Sequence, residues 1–127
     1  GQRQVKLILV KNPAGFQASL TTLIQPMPTL IAVNDNYADG RDVSWLWDVD
    51  FRKAKFTEVH TTGSRSADMA LRLKYDNIKA THQPYLRASL KSFLRDTDGD
   101  VVIFATYTAM LKLRRELLRL IKKETKK

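Results

Sequence analysis

Two nearly uninterrupted apolar runs, TLIAV at 29–33 and VVIFAT at 101–106, constrain this chain more than any other feature. Neither alternates polar with apolar residues, so neither suits a sheet with one wet face. Strands of this kind are buried on both sides, which happens mainly in parallel sheets covered by helices. The spacing elsewhere agrees. Val5–Val10 is apolar except at Lys6 and ends at Lys11-Asn12-Pro13, which predicts a strand running into a turn. Phe16, Leu20, Leu23 and Ile24 recur at helical spacing and predict a helix over 16–24, stopped by Pro26 and Pro28. Asn34–Asp42 reads as a polar loop, and Val43–Trp47 as a helical turn or a short strand.

The second half repeats the alternation. Thr57–Thr61 predicts a strand. Gly63-Ser64 then opens a helix carrying Ala67, Ala70, Leu71 and Leu73, with Ser64 as N-cap and Asp68 near the positive end of the dipole. Ile78–Thr81 predicts a short strand, Tyr85–Leu94 an amphipathic helix, Asp98-Gly99-Asp100 a turn and Tyr107–Ile121 the last helix. Strands alternating with helices call for an α/β domain of Rossmann-like, three-layer type, with a mainly parallel sheet of about five or six strands.

The 127 residues suit a single domain, 1–127, with a basic tail over 119–127. A chain this long buries roughly 65–70% of its unfolded surface and needs no staples. With no Cys, a disulfide framework, a zinc ribbon and a thiol nucleophile are excluded. His60 and His82 are the only histidines, and both read as structural, so no metal site is expected. No apolar run reaches the roughly 20 residues of a membrane span, and the first apolar stretch is short for a secretory leader.

The net charge of +9 is unevenly spread. From Lys112 onward eight basic residues face two acidic ones, whereas Asp35–Asp50 holds five aspartates against Arg41 alone. The basic end reads first as a solvated helix face, with phosphate-backbone or anionic-membrane contact as the alternatives.

Ligands in open parallel sheets sit beyond the carboxyl ends of the strands. Three polar segments fall there: Lys11–Gly15, Asn34–Trp45 and Thr62–Arg65. Asp35, Asp39 and Asp42 lie within eight residues and repel one another unless neutralised, so an unpaired cluster should cost little stability when one is removed. Carboxylates so placed can bind Mg²⁺, orient a histidine or accept from ribose hydroxyls, or they form a solvated Asx-rich turn. Trp45 and Trp47 suit either a subunit interface or core packing. Lys11-Asn12-Pro13 can present backbone N–H groups to a phosphate with Lys11 as a point charge, though it is not a P-loop. Arg65 can fork onto a carboxylate or phosphate, or pair with Asp68. Thr106 and Thr108 either reach the same rim or cap the last helix.

NPAGF, NDNYADGRDVSWLWDVDF, TGSRSADMALRLKY and ATYTAMLKLR, in that order, resemble the C-terminal domain of the MurT family, the Mur-ligase-like subunit of lipid II isoglutaminyl synthase. The likeness covers residues 5–118, and DGRDVSW followed by WDVDF is its most specific part. It implies one domain excised from a longer chain whose N-terminal and central Mur-ligase domains carry the P-loop. Such a subunit uses ATP and Mg²⁺ to activate the α-carboxylate of D-glutamate in the lipid II stem peptide. Ammonia from a GatD-type glutaminase partner then gives D-isoglutamine. The resemblance further implies a cytoplasmic protein at the inner membrane face. An aspartate of this domain completes the partner's Cys–His pair, with Asp39 favoured, then Asp42 and Asp35. Lys11, Asn12, Arg41 and Arg65 fall on the nucleotide and substrate side, and Trp45 and Trp47 at the partner interface. The domain alone is expected to be inactive and to hold no cofactor tightly, and no nucleic-acid partner is expected.

A competing reading is a non-catalytic α/β binding module whose basic C-terminal helix contacts an anionic membrane or nucleic acid. A pure module of that kind has no use for the acidic loop. An autonomous small enzyme is the weakest reading, because no P-loop and no Cys are present.

Overall fold

The computed structural model describes residues 3–125. The chain order is β1 (Val5–Leu9), α1 (Pro13–Thr21), β2 (Met27–Ala32), β3 (Phe56–Thr62), α2 (Ser66–Tyr75), β4 (Ala80–His82), α3 (Leu86–Asp96), β5 (Val101–Ala105) and α4 (Tyr107–Thr125). Two short 3-10 helices, Tyr37–Asp39 and Ser44–Asp48, lie between β2 and β3. The expected basic tail continues α4 to Thr125, while Lys126 and Lys127 lie outside the described residues.

All five strands are parallel, in the order β1-β5-β2-β3-β4. The expected fold class is therefore the observed one. Right-handed crossovers explain which helix covers which face. The chain steps across the sheet in one direction from β1 to β4, so α1, the 3-10 helix at Ser44–Asp48 and α2 share a face. It then reverses from β4 to β5, which sends α3 to the other side with α4. The two core clusters follow. Phe16, Ile31, Leu46, Phe51, Met69 and Phe104 fill one side; Leu30, Leu90, Phe93, Ile103 and Leu113 fill the other. β5 supplies both, with Val102 and Phe104 on the first face and Val101, Ile103 and Ala105 on the second. That is why its sequence does not alternate.

Three expectations shift. Helix α1 starts at Pro13, not Phe16, because Pro13 fits the first helical position and Asn12 caps it by accepting from Gly15 N–H at 2.8 Å. The helix ends at Thr21, so Ile24, expected on its apolar stripe, is 82% exposed. β2 begins at Met27 rather than Thr29. Pro28 is tolerated because the pairing register with β3 slips between Met27 and Thr29. Helix α2 starts at Ser66, and its buried face is Ser66, Met69, Arg72 and Leu73, with Leu71 turned to solvent. Ser64 is not its cap; that hydroxyl is used elsewhere.

Candidate functional site

The carboxyl ends of β2, β3 and β5 are laced together by Asn34, the second residue past β2. Its backbone N–H donates to Thr106 Oγ1 at 2.9 Å, and its Nδ2 donates to Thr108 Oγ1 at 3.0 Å. Its Oδ1 accepts from Ser64 N–H at 3.0 Å. One side chain thus spans the rim from β5 to β3. Gly63 makes this possible. It sits at φ +93°, and a Cβ there would lie 2.4 Å from Val33 O and 2.8 Å from Asn34 Oδ1. We expect Gly63→Ala to destabilise the domain by about 2 kcal/mol or more, since left-handed strain adds to a backbone overlap. Urea denaturation checks it, and an unchanged midpoint would refute the close-approach argument.

The three aspartates do not form an unpaired cluster. Asp39 lies at the end of the first 3-10 helix and caps α4 from outside. Its Oδ1 accepts from Thr108 N–H at 2.7 Å; its Oδ2 accepts from Thr108 Oγ1 and, at 3.1 Å, from Asn36 N–H. An anionic cap at a helix N-terminus satisfies an orphan donor and meets the dipole. Asp35 is held by Ser64, whose Oγ donates to Asp35 Oδ1 at 2.9 Å and accepts from Asp35 N–H at 3.1 Å. Arg65 Nη1 stands 3.8 Å from Asp35 Oδ2. Asp42 is exposed, and its Oδ1 accepts from Ser44 N–H at 2.9 Å. Hydrogen bonds from Ser44, backbone first and hydroxyl second, hold its carboxyl below the usual carboxylate range. No described Lys or Arg forms an ion pair with it. Arg41, the one basic residue of the acidic segment, lies over the Tyr37 ring, 5.0 Å from its centroid. Removing a carboxylate is therefore not uniformly cheap: Asp39 has a capping job, and Asp42 does not.

The two tryptophans separate. Trp45 is half-buried against the core, with its ring 6.4 Å from Phe16. Trp47 is 47% exposed, meets Tyr75 edge-on at 5.0 Å, and has the Arg72 guanidinium 5.2 Å from its ring. A shallow cavity of about 230 Å³ connects it to the loop, lined by Arg41, Asp42, Ser44, Trp47, Arg65 and Asp68 among others.

Residues 9–110 match the MurT ligase C-terminal family. The chain belongs to that family. It is 36% identical to the lipid II isoglutaminyl synthase (glutamine-hydrolyzing) subunit MurT of Streptococcus pneumoniae strain R6, over 98% of this chain and 30% of that protein. It is 32% identical to the protein of the same description from Staphylococcus aureus strain COL, over 93% of this chain and 29% of the relative. The chain thus spans about three-tenths of the length of these curated relatives.

Within this MurT-type domain, the nucleotide-side candidates do not make a cradle of their own. Asn12 spends its carbonyl oxygen on the α1 cap, and a Cβ at Gly15 would already crowd it at 3.2 Å. Lys11 is exposed beside that turn and remains a lone point charge. Among the described residues no three His, Cys, Asp or Glu side chains converge as metal ligands. The residues present here do not by themselves fit ATP and Mg²⁺. Arg65 Nε lies 3.0 Å from Asp68, as an ion pair without hydrogen-bond geometry. Its surface-pair reading is therefore met, and it also reaches Asp35.

Thr106 and Thr108 both reach the rim, the first of the two roles open to them, while Asn34 and Arg72 were missed as organising residues. Arg72 is 6% exposed. Its Nε donates to Leu46 O at 3.0 Å, its Nη2 donates to Val49 O, and it pairs with Asp76 at 3.2 Å. Asp76 Oδ2 in turn accepts from Phe51 N–H at 2.9 Å. The pair fastens the tryptophan segment to α2. Its one sequence signal was the i,i+4 spacing of Arg72 and Asp76.

Proposed function

We propose that this domain docks a GatD-type glutaminase subunit through the Asp42–Trp47 segment and lends Asp42 to that partner's Cys–His pair. The observation that carries the reading is the setting of Asp42: exposed, held among the described residues by Ser44, and lining the same cavity as the exposed Trp47 indole. An orienting aspartate must accept from an imidazole Nδ1–H and stabilise the imidazolium that forms. Asp39 has both oxygens engaged on α4, and Asp35 is shared between Ser64 and Arg65, so Asp42 moves ahead of Asp39 among the three. The relatives' description as glutamine-hydrolyzing supports the partnership.

On this reading the parent subunit's other domains hold ATP and Mg²⁺ and activate the D-glutamate α-carboxylate of lipid II at the inner membrane face, in the cytoplasm. Lys11 is the cation left to approach a nucleotide or substrate held elsewhere, while Arg41 and Arg65 line the cavity shared by Asp42 and Trp47. Its described residues form no phosphate cradle, and the domain alone turns over neither ATP nor glutamine. Trp45 supports the segment from beneath, and Trp47 is the anchor.

The test is binding of the domain to its cognate glutaminase subunit by calorimetry. Wild type is expected to bind, and Trp47→Ala to weaken the complex by roughly 30-fold, as a central aromatic anchor does. A wild-type domain that fails to bind the glutaminase would sink the proposal. So would a Trp47→Ala variant that binds as tightly as wild type.

A further inference from the structure

Helix α4 has two apolar faces, and the core uses only one. Ala109, Leu113 and Glu116 are buried against the sheet and α3. On the opposite side, Tyr107, Leu111 and Leu118 fall on one line of the helix, at i, i+4 and i+11. Leu111 is 41% exposed and Leu118 52%. Arg114 lies within that line, and Arg115 and Lys122 lie along its side, all exposed. No ion pair involves these three cations among the described residues. Glu116 is turned inward and held by Arg87 at 3.5 Å and Arg119 at 3.1 Å, so it does not offset the charge outside.

From this second face we infer that α4 lays the domain onto an anionic lipid surface, with Leu111 and Leu118 entering the headgroup boundary and Arg114, Arg115 and Lys122 meeting lipid phosphates. Charge complementarity selects an anionic occupant. The aliphatic line selects lipid over nucleic acid, whose phosphates offer leucine nothing. The face is convex and runs along a helix about 28 Å long. It therefore suits a broad planar surface better than a protein partner, whose anchors seat in pockets. Two leucines insert weakly, so attachment is reversible and depends on both terms together. The inference is independent of the role proposed for Asp42.

Co-sedimentation of the 127-residue chain with vesicles tests it. Vesicles of phosphatidylcholine mixed with phosphatidylglycerol are compared with pure phosphatidylcholine, at low and high salt. Wild type is expected to favour the anionic vesicles and to be released as salt screens the charges. R114E/R115E is expected to lower partitioning by roughly 30-fold or more. L111S/L118S, with its thermal midpoint kept, is expected to lower it by about tenfold. No partitioning at low salt would overturn the inference. Equal affinity for both vesicle types, or an unaffected leucine variant, would do the same. Tighter binding to duplex DNA than to anionic vesicles would assign the face to nucleic acid and likewise overturn it.

Discussion

Asp42→Asn is expected to remove most glutamine hydrolysis from the reconstituted two-subunit enzyme while leaving the domain's thermal midpoint where it was. An orienting aspartate in a nucleophile–His–Asp triad is worth up to about 10⁴ in kcat. One contributed across a subunit boundary should still cost about 10² or more, because the imidazole loses both its tautomer control and the charge that stabilises its protonated form. Stability is spared because Asp42 pairs with no described cation, and its replacement can still accept from Ser44 N–H. Asp39→Asn should behave the other way. It leaves one good acceptor where Thr108 N–H, Thr108 Oγ1 and Asn36 N–H now converge, so it should cost about 1–2 kcal/mol, with a lesser effect on hydrolysis. Glutamine turnover and urea midpoints for both variants decide the matter. Wild-type turnover in Asp42→Asn together with lost turnover at unchanged stability in Asp39→Asn would make Asp39 the shared residue and refute the geometric ordering.

Arg72→Ala is expected to cost about 3–5 kcal/mol, the range for breaking a buried pair by deleting one partner. Out of the 5–15 kcal/mol that a domain usually has, that loss is severe. Three consequences act together. Asp76, largely enclosed, loses its counter-charge. The Leu46 and Val49 carbonyls lose their donors in a buried setting. Trp47 and Phe51 lose the guanidinium between them, whose carbon lies 5.2 Å and 5.3 Å from their ring centroids. Replacing the pair together, as R72M/D76N, should recover part of the loss, since no unpaired carboxylate remains. Urea denaturation followed by tryptophan fluorescence measures both. A single-variant loss below about 1 kcal/mol would show that the tryptophan segment stands without this clamp.

The architecture was legible because its causes are short-range. TLIAV and VVIFAT are buried on both faces, and the absence of alternation says so directly. Asn12 and Pro13 mark the start of α1 by position alone, although the apolar stripe placed that start three residues late. The stripe also misled at Ile24, where the chain leaves the helix before the residue is reached. In α2 the apolar residues Ala67, Ala70, Leu71 and Leu73 do not by themselves mark the inner face. The true one includes Arg72, because an Asp four residues on and two carbonyls from a distant segment satisfy the buried cation.

The acidic loop marks the boundary between what a sequence decides and what it leaves open. Its composition showed that three carboxylates lie within eight residues at a strand's carboxyl end, and the motif around them pointed to the family. Which of them is free depends on donors far along the chain: Ser64, 29 residues from Asp35, and Thr108, 69 residues from Asp39. Strand burial, helix caps and turns are settled by forces acting over a few residues, so residue order alone determined the α/β class, the parallel sheet and the rim where a site would form. Only the tertiary structure, by inserting β5 between β1 and β2, brought Thr108 to Asp39 and left Asp42 uncommitted, because hydrogen-bond partners are assigned by proximity in space.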